Sequence, residues 1–191
     1  MENITQNKLK RSVVLVGMMG CGKSAVGAEL AKLLSVPFLD SDGEIKKSEQ
    51  MEIAQIFERF GEQYFRELES RTLDKLLHGG SKVIGGGGGM FMLERNRHMI
   101  CEQGVSLWLK AEPDLLWERV RHKSTRPLLR TDDPYKTLRE LLEERTPFYG
   151  KAQIAVEAEW GLTVPEMAAK VVRALADSEL GIVAKLDENG T

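Results

Sequence analysis

Gly17-Met18-Met19-Gly20-Cys21-Gly22-Lys23-Ser24, placed directly after the apolar run Val13-Val14-Leu15-Val16, constrains this chain more than any other stretch. A G-x-x-x-x-G-K-[ST] segment between a strand and a helix is built to hold phosphate. Its glycines let backbone N–H groups turn inward around the anion, and the following helix aims its positive dipole end at the same place. In that reading Gly20, Cys21, Gly22, Lys23, Ser24 and Ala25 line the phosphates of a nucleotide. Lys23 reaches the β- and γ-phosphates, and the Ser24 hydroxyl holds Mg²⁺. The helix behind the loop shows apolar Val26, Leu30, Leu33 and Leu34 on one face.

With 191 residues and 42% hydrophobic composition, the chain can bury one core, or one core with a small appended lobe. The reading is a single domain over 1–176 with a flexible tail over 177–191. Basic and acidic side chains number 27 and 29, for a net charge of −2. That balance leaves no field to hold nucleic acid or an anionic membrane, so small-molecule partners are expected. Cys21 and Cys101 form no disulfide framework, and His78, His98 and His122 stand in no metal-ligand spacing. The first eleven residues lack a signal-peptide apolar region and no 18-residue apolar run follows, which predicts a cytoplasmic protein.

Along the chain, Val36 to Leu39 reads as a strand ending at Asp40-Ser41-Asp42-Gly43, a turn or helix cap whose carboxylates face the phosphate loop. Ile53, Ile56, Phe57 and Phe60 mark a helix ending at Gly61, and a second helix runs from about Gln63 to Leu77. These two form an insertion, about 41–78, beyond a minimal βαβ unit, where a second substrate can bind. Val83-Ile84 then runs into Gly85-Gly86-Gly87-Gly88-Gly89. Five glycines are costly in chain entropy, so close approach to bare backbone is the better account than a spacer.

Further on, Leu93 to Glu102 reads as a helix, Val105 to Leu109 as a strand and Pro113 to Arg121 as a helix. About 122–135 is a basic loop carrying Lys123, Arg126 and Arg130, suited to a mobile lid over phosphates. Lys136 to Thr146 is helical and stops at Pro147; Ile154 to Val156 is the last strand, and Pro165 to Ala176 the last helix. Five strands alternating with helices predict a three-layer α/β/α domain with a five-stranded parallel sheet. A phosphate loop, an Asp pair, a glycine turn and a basic lid together point to phosphoryl transfer, which relies on positioning and on cations around the transferring group.

Taken in order, these motifs resemble the shikimate kinase family over about 12–176. The phosphate loop is similar down to its Met-Met pair. Phe38-Leu39-Asp40-Ser41-Asp42 resembles the D-x-D segment, which implies Asp40 near Mg²⁺ and Asp42 on the substrate's ring hydroxyls, with Asp42 able to act as base. Phe65-Arg66-Glu67-Leu68-Glu69 resembles F-R-x-x-E, which implies that Arg66 binds the shikimate carboxylate and that Glu69 supports it. Gly85-Gly86-Gly87 is similar to the turn that meets shikimate through its backbone, here Gly86 and Gly87. Arg126-Pro127-Leu128-Leu129 resembles the R-P-L-L lid, whose arginine touches the transferring phosphate. Arg119 falls where the family stacks an arginine on adenine, and Arg145-Thr146-Pro147-Phe148-Tyr149 is similar to the segment supplying a second carboxylate-binding arginine. Two departures stand out. Gly88-Gly89 replaces the small or β-branched residues usual after the triple glycine, and Ala158 to Pro165 lacks the usual aspartate of the adenine-side loop.

The resemblance implies a fold of the P-loop kinase type and transfer of the ATP γ-phosphate to the 3-hydroxyl of shikimate, with Mg²⁺ and with ATP and shikimate as partners of a monomer. Lys23, Asp42 and Arg126 are the candidate catalytic residues. Another small-molecule kinase, such as a gluconate-type enzyme, and a non-catalytic kinase-like binding module are the alternatives.

Overall fold

Val13, Val14, Leu15 and Val16 are no more than 1% exposed, so both faces of their strand are sealed, as a central strand of a parallel sheet requires. The computed structural model describes residues 8–122 and 127–184. Its elements are β1 (Lys8–Leu9), β2 (Ser12–Val16), α1 (Lys23–Leu33), β3 (Phe38–Asp40), α2 (Ser41–Glu49), α3 (Ile53–Leu77) and β4 (Val83–Gly85). After them come α4 (Glu94–Gln103), β5 (Gly104–Lys110), α5 (Pro113–Val120), α6 (Pro134–Tyr149), β6 (Ile154–Glu157), α7 (Val164–Asp177) and β7 (Val183–Ala184).

Five strands form one parallel sheet in the order β3-β4-β2-β5-β6, flanked by helices, as expected from the sequence. The order places β2 at the centre, where the chain's later strands cross to its other side. At such a switch point the carboxyl ends of the strands open a crevice. The register brings those ends level: Asp40 pairs with Gly85 and Gly85 with Leu15. The phosphate loop, the Asp40 turn and the glycine run therefore emerge side by side.

The insertion differs in detail from the expectation. Ser41–Glu49 is helical as well, because the Asp40 side chain caps it by accepting from the Gly43 N–H at 3.0 Å. At Gly61 the backbone leaves the helix at φ 80°, a left-handed conformation that glycine adopts without strain, so α3 is two helices joined at a kink. Ile45, Ile56, Phe65 and Leu68 make a small core for this lobe, separate from the main one.

Two helix and tail boundaries also move. Helix α6 continues past Thr146 to Tyr149 with Pro147 inside its last turn. There the missing N–H forfeits one bond, while the Gly150 N–H still reaches Thr146 O at 2.9 Å. Beyond Asp177, where fraying was expected, Ile182 is fully buried and β7 pairs antiparallel with β1. Among the described residues no helix is long and apolar enough to cross a membrane.

Candidate active site

The phosphate loop has the backbone its sequence demands. Gly17, Gly20 and Gly22 sit at φ 141°, 84° and 105°, and Gly22 is the N-cap of α1. Lys23 lies across the loop, its ammonium donating to the carbonyls of Gly17 at 2.7 Å and Met18 at 3.0 Å. Arg119 reaches over from α5 and donates to the carbonyls of Gly20 and Cys21, each at 3.4 Å. Cys21 is buried, in keeping with a packing role, whereas Ser24 and Ala25 are exposed at the start of the helix.

Ser24 and Asp40 meet across the crevice. The Ser24 hydroxyl donates to Asp40 Oδ2 at 3.1 Å, while Asp40 Oδ1 is held by the Gly43 N–H. Both are hard oxygen donors, the kind Mg²⁺ takes, and two octahedral ligands about 2.0–2.1 Å from the ion stand about 2.9 Å apart at a right angle. The pair fits the ion with little movement. Among the described residues no three His, Cys, Asp or Glu side chains gather into a cage. Mg²⁺ is typically held by one or two carboxylates, with phosphate and water completing its shell.

On the β3–β4 side, the acceptor candidates converge on the glycine run. None of Gly85 to Gly89 has a positive φ, so the run is explained by space instead. A Cβ on Gly87 would lie 2.6 Å from Asp42 Oδ1 and 2.8 Å from Glu69 Oε1. A Cβ on Gly89 would fall on the Arg66 guanidinium, and one on Gly88 would sit 3.4 Å from Arg145 Nη1. The chain's own side chains approach this bare backbone closely at Gly87 and Gly89. Gly88 and Gly89, the departure from the family pattern, are thus where the two arginines come in. The turn is pinned: the Gly87 N–H donates to the buried Ser41 hydroxyl at 2.9 Å, and Arg145 and Tyr149 both donate to Gly88 O.

Arg66 and Glu69 lie one turn apart on α3 and bond at 2.5 Å, with Glu62 also accepting from Arg66 at 3.0 Å. Burial alone would lower the arginine, but Glu69 and Glu62 more than offset it and the group ends above its ordinary value. For Glu69, which is 1% exposed, burial raises the carboxyl above the usual range; Arg66 opposes this, while nearby Asp42 adds to it. The two directions reflect unequal surroundings. The arginine keeps a second carboxylate and some solvent, while the glutamate is almost wholly out of water.

The structure therefore gathers Asp42, Arg66, Gly86, Gly87 and Arg145 at one end of the crevice, Ser24 and Asp40 beside the phosphate loop, and Arg119 on the loop's far side. Arg126 lies outside the described residues. In the lid segment, Pro127–Leu129 forms a 3₁₀ turn, with Leu128 exposed and Leu129 buried. Sequence reasoning missed Ser41 and Tyr149 as supports of the turn. Ser41 reads as a capping residue between two aspartates. Tyr149 could have been found from its i, i+4 relation to Arg145, had α6 not been expected to stop at Pro147.

The family model described as shikimate kinase matches residues 19–176. A shikimate kinase of Cereibacter sphaeroides is 59% identical over 169 residues, covering 88% of this chain and 84% of the relative. One from Ruegeria pomeroyi is 54% identical over 168 residues, covering 88% and 86%. Among solved structures, the shikimate kinase of Acinetobacter baumannii in complex with shikimate superposes with a TM-score of 0.83 at 34% identity, covering 89% of this chain and 95% of that one.

Proposed function

This chain belongs to the shikimate kinase family, and from that premise we propose how its own residues divide the transfer of phosphate from ATP to shikimate. The enzyme is an ATP-dependent kinase, and its product is the phosphate ester at the 3-hydroxyl. The observation that carries the division of roles is the convergence of Asp42, Arg66 and Arg145 on the turn at Gly87–Gly89, beside the Ser24–Asp40 pair.

The backbone from Gly20 to Ala25 holds the ATP phosphates, with Lys23 exchanging its contacts to Gly17 and Met18 for phosphate oxygens. Arg119 flanks the loop on the side away from the acceptor, suited to the adenine. Ser24 and Asp40 would hold Mg²⁺, which when bound draws charge from the phosphate oxygens. Arg66 and Arg145 grip the shikimate carboxylate; planar guanidinium groups match a carboxylate in a way that lysine does not. Asp42 accepts bonds from the ring hydroxyls and takes the proton of the 3-hydroxyl as the new P–O bond forms. A loose transition state asks for that proton late, so orientation by Asp42 counts as well as basicity. Arg126, carried over from the lid motif, is assigned to the transferring phosphate.

Replacing the shikimate carboxylate by a neutral amide tests this division. A hydrogen bond to a charged group contributes about 1.5–3 kcal/mol, so the amide should weaken binding to the wild type about ten- to a hundredfold. In Arg66→Ala the same change should cost much less, since the partner is already gone. Losses that simply add would remove Arg66 from the carboxylate site.

A further inference from the structure

Tyr149 is the largest fully buried side chain among the described residues, and it carries a polar hydroxyl into the interior. That hydroxyl donates to Gly88 O at 2.8 Å, the same carbonyl that accepts from Arg145 Nη1 at 3.3 Å. A carbonyl oxygen has two lone pairs, so these donors use both. Arg145 and Tyr149 stand four residues apart on α6 and therefore project from one face of the helix. The tyrosine ring is held from beneath by Trp108 of β5, at a centroid distance of 6.0 Å and an interplanar angle of 26°. Trp108 in turn packs under the first residue of the phosphate loop, its Cδ1 lying 3.3 Å from where a Gly17 Cβ would stand.

Tyr149 thus links β5, which is paired on both sides within the sheet, to the Gly88 carbonyl of the glycine turn. Burial pushes its phenol up to about 12, so it stays an O–H donor at working pH. A tyrosine kept only for core volume would need no particular acceptor. Here the acceptor is the one carbonyl that also receives Arg145.

We propose that Tyr149 is a positioning residue for the acceptor site, its hydroxyl holding the Gly88 carbonyl where Arg145 is aimed at the substrate carboxylate. This rests on the reading of Arg145 as a carboxylate ligand. Without the hydroxyl, the Gly88 peptide can rotate, and Arg145 loses the contact that orients it.

Tyr149→Phe keeps the ring, the packing on Trp108 and the burial, and removes only the donor. The shikimate KM should rise about three- to tenfold, the range one hydrogen bond accounts for, while the ATP KM stays within about twofold. In an Arg145→Ala background, Tyr149→Phe should add no further rise, because its effect runs through the arginine. A structural role would instead lower the melting temperature and move both KM values, and the double variant would show the product of the single effects. Either of those results, or an unchanged shikimate KM in Tyr149→Phe, overturns the inference. If Arg145→Ala raises the shikimate KM and Tyr149→Phe does not, the carboxylate reading stands and the inference alone falls. An Arg145→Ala enzyme with an unchanged shikimate KM removes both.

Discussion

The Arg66 guanidinium rests against bare backbone at Gly89, in the space that a side chain there would need. Gly89→Ala should therefore displace the arginine. The shikimate KM is expected to rise at least about tenfold, in line with loss of a charged hydrogen bond, with the ATP KM little changed. Gly80→Ala, where a Cβ meets nothing within 4 Å, is the control and should be silent. Steady-state kinetics with each substrate varied in turn checks both.

The same arginine depends on a buried partner. Glu69 has its carboxyl raised above the ordinary value of 4.5 in the folded protein, so below about that pH its contribution to stability is fully present, and it is lost as pH rises through the folded value. The stability of the wild type relative to Glu69→Gln should accordingly fall as pH increases from about 4 toward neutrality. Denaturant melts of both proteins across that range measure it, and a difference that grows with pH would contradict the assignment. Glu69→Gln should also raise the shikimate KM, since Arg66 exchanges a charge-assisted bond for a weaker one to a neutral amide oxygen.

Lys23 and Asp42 are expected to bear on turnover. Lys23→Ala and Asp42→Asn each remove a charged group from the reacting centre, where such losses commonly cost about 10²–10³ in kcat. Thermal melts should show both variants folded. Activity within about threefold of wild type for either would remove that residue from the centre.

Ile182 closes the main core beyond the last helix, and the Lys10 N–H donates to its carbonyl at 2.8 Å. Ile182→Ala should destabilise by about 2–5 kcal/mol, as for a buried aliphatic side chain, and leave both KM values near those of the wild type. Urea unfolding and kinetics on the same preparation separate the two.

Much of the site was legible because phosphate chemistry leaves local signs. The loop from Gly17 to Ser24 needs particular backbone angles and a following helix, and both demands are met within a dozen consecutive residues. Asp40-Ser41-Asp42 was equally readable as a strand end with a cap, although the helix it caps was not, since its charged residues carry little apolar periodicity. Helix α6 was cut short at Pro147 by a rule about helix interiors that is weak in the last turn, and Tyr149 was hidden with it. The anchoring of Ile182 was invisible because a two-residue strand has no period to detect.

From the sequence alone came the fold class, the alternation that makes the sheet parallel and the phosphate loop, because each follows from local periodicity or a contiguous motif, while the carboxylate-binding role of the two arginines came from the resemblance. Only the tertiary structure decided how those residues share one crevice. Asp42, Arg66 and Arg145 are separated along the chain by the kink in α3, by β4, α4, β5 and α5 and by the basic segment about 122–135, and no local rule says that they meet at Gly87–Gly89. Strand order and register bring them there. The five glycines show the difference: their number was plain in the sequence, but the reason at Gly87 and Gly89 is a side chain from elsewhere in the chain occupying the space a Cβ would fill.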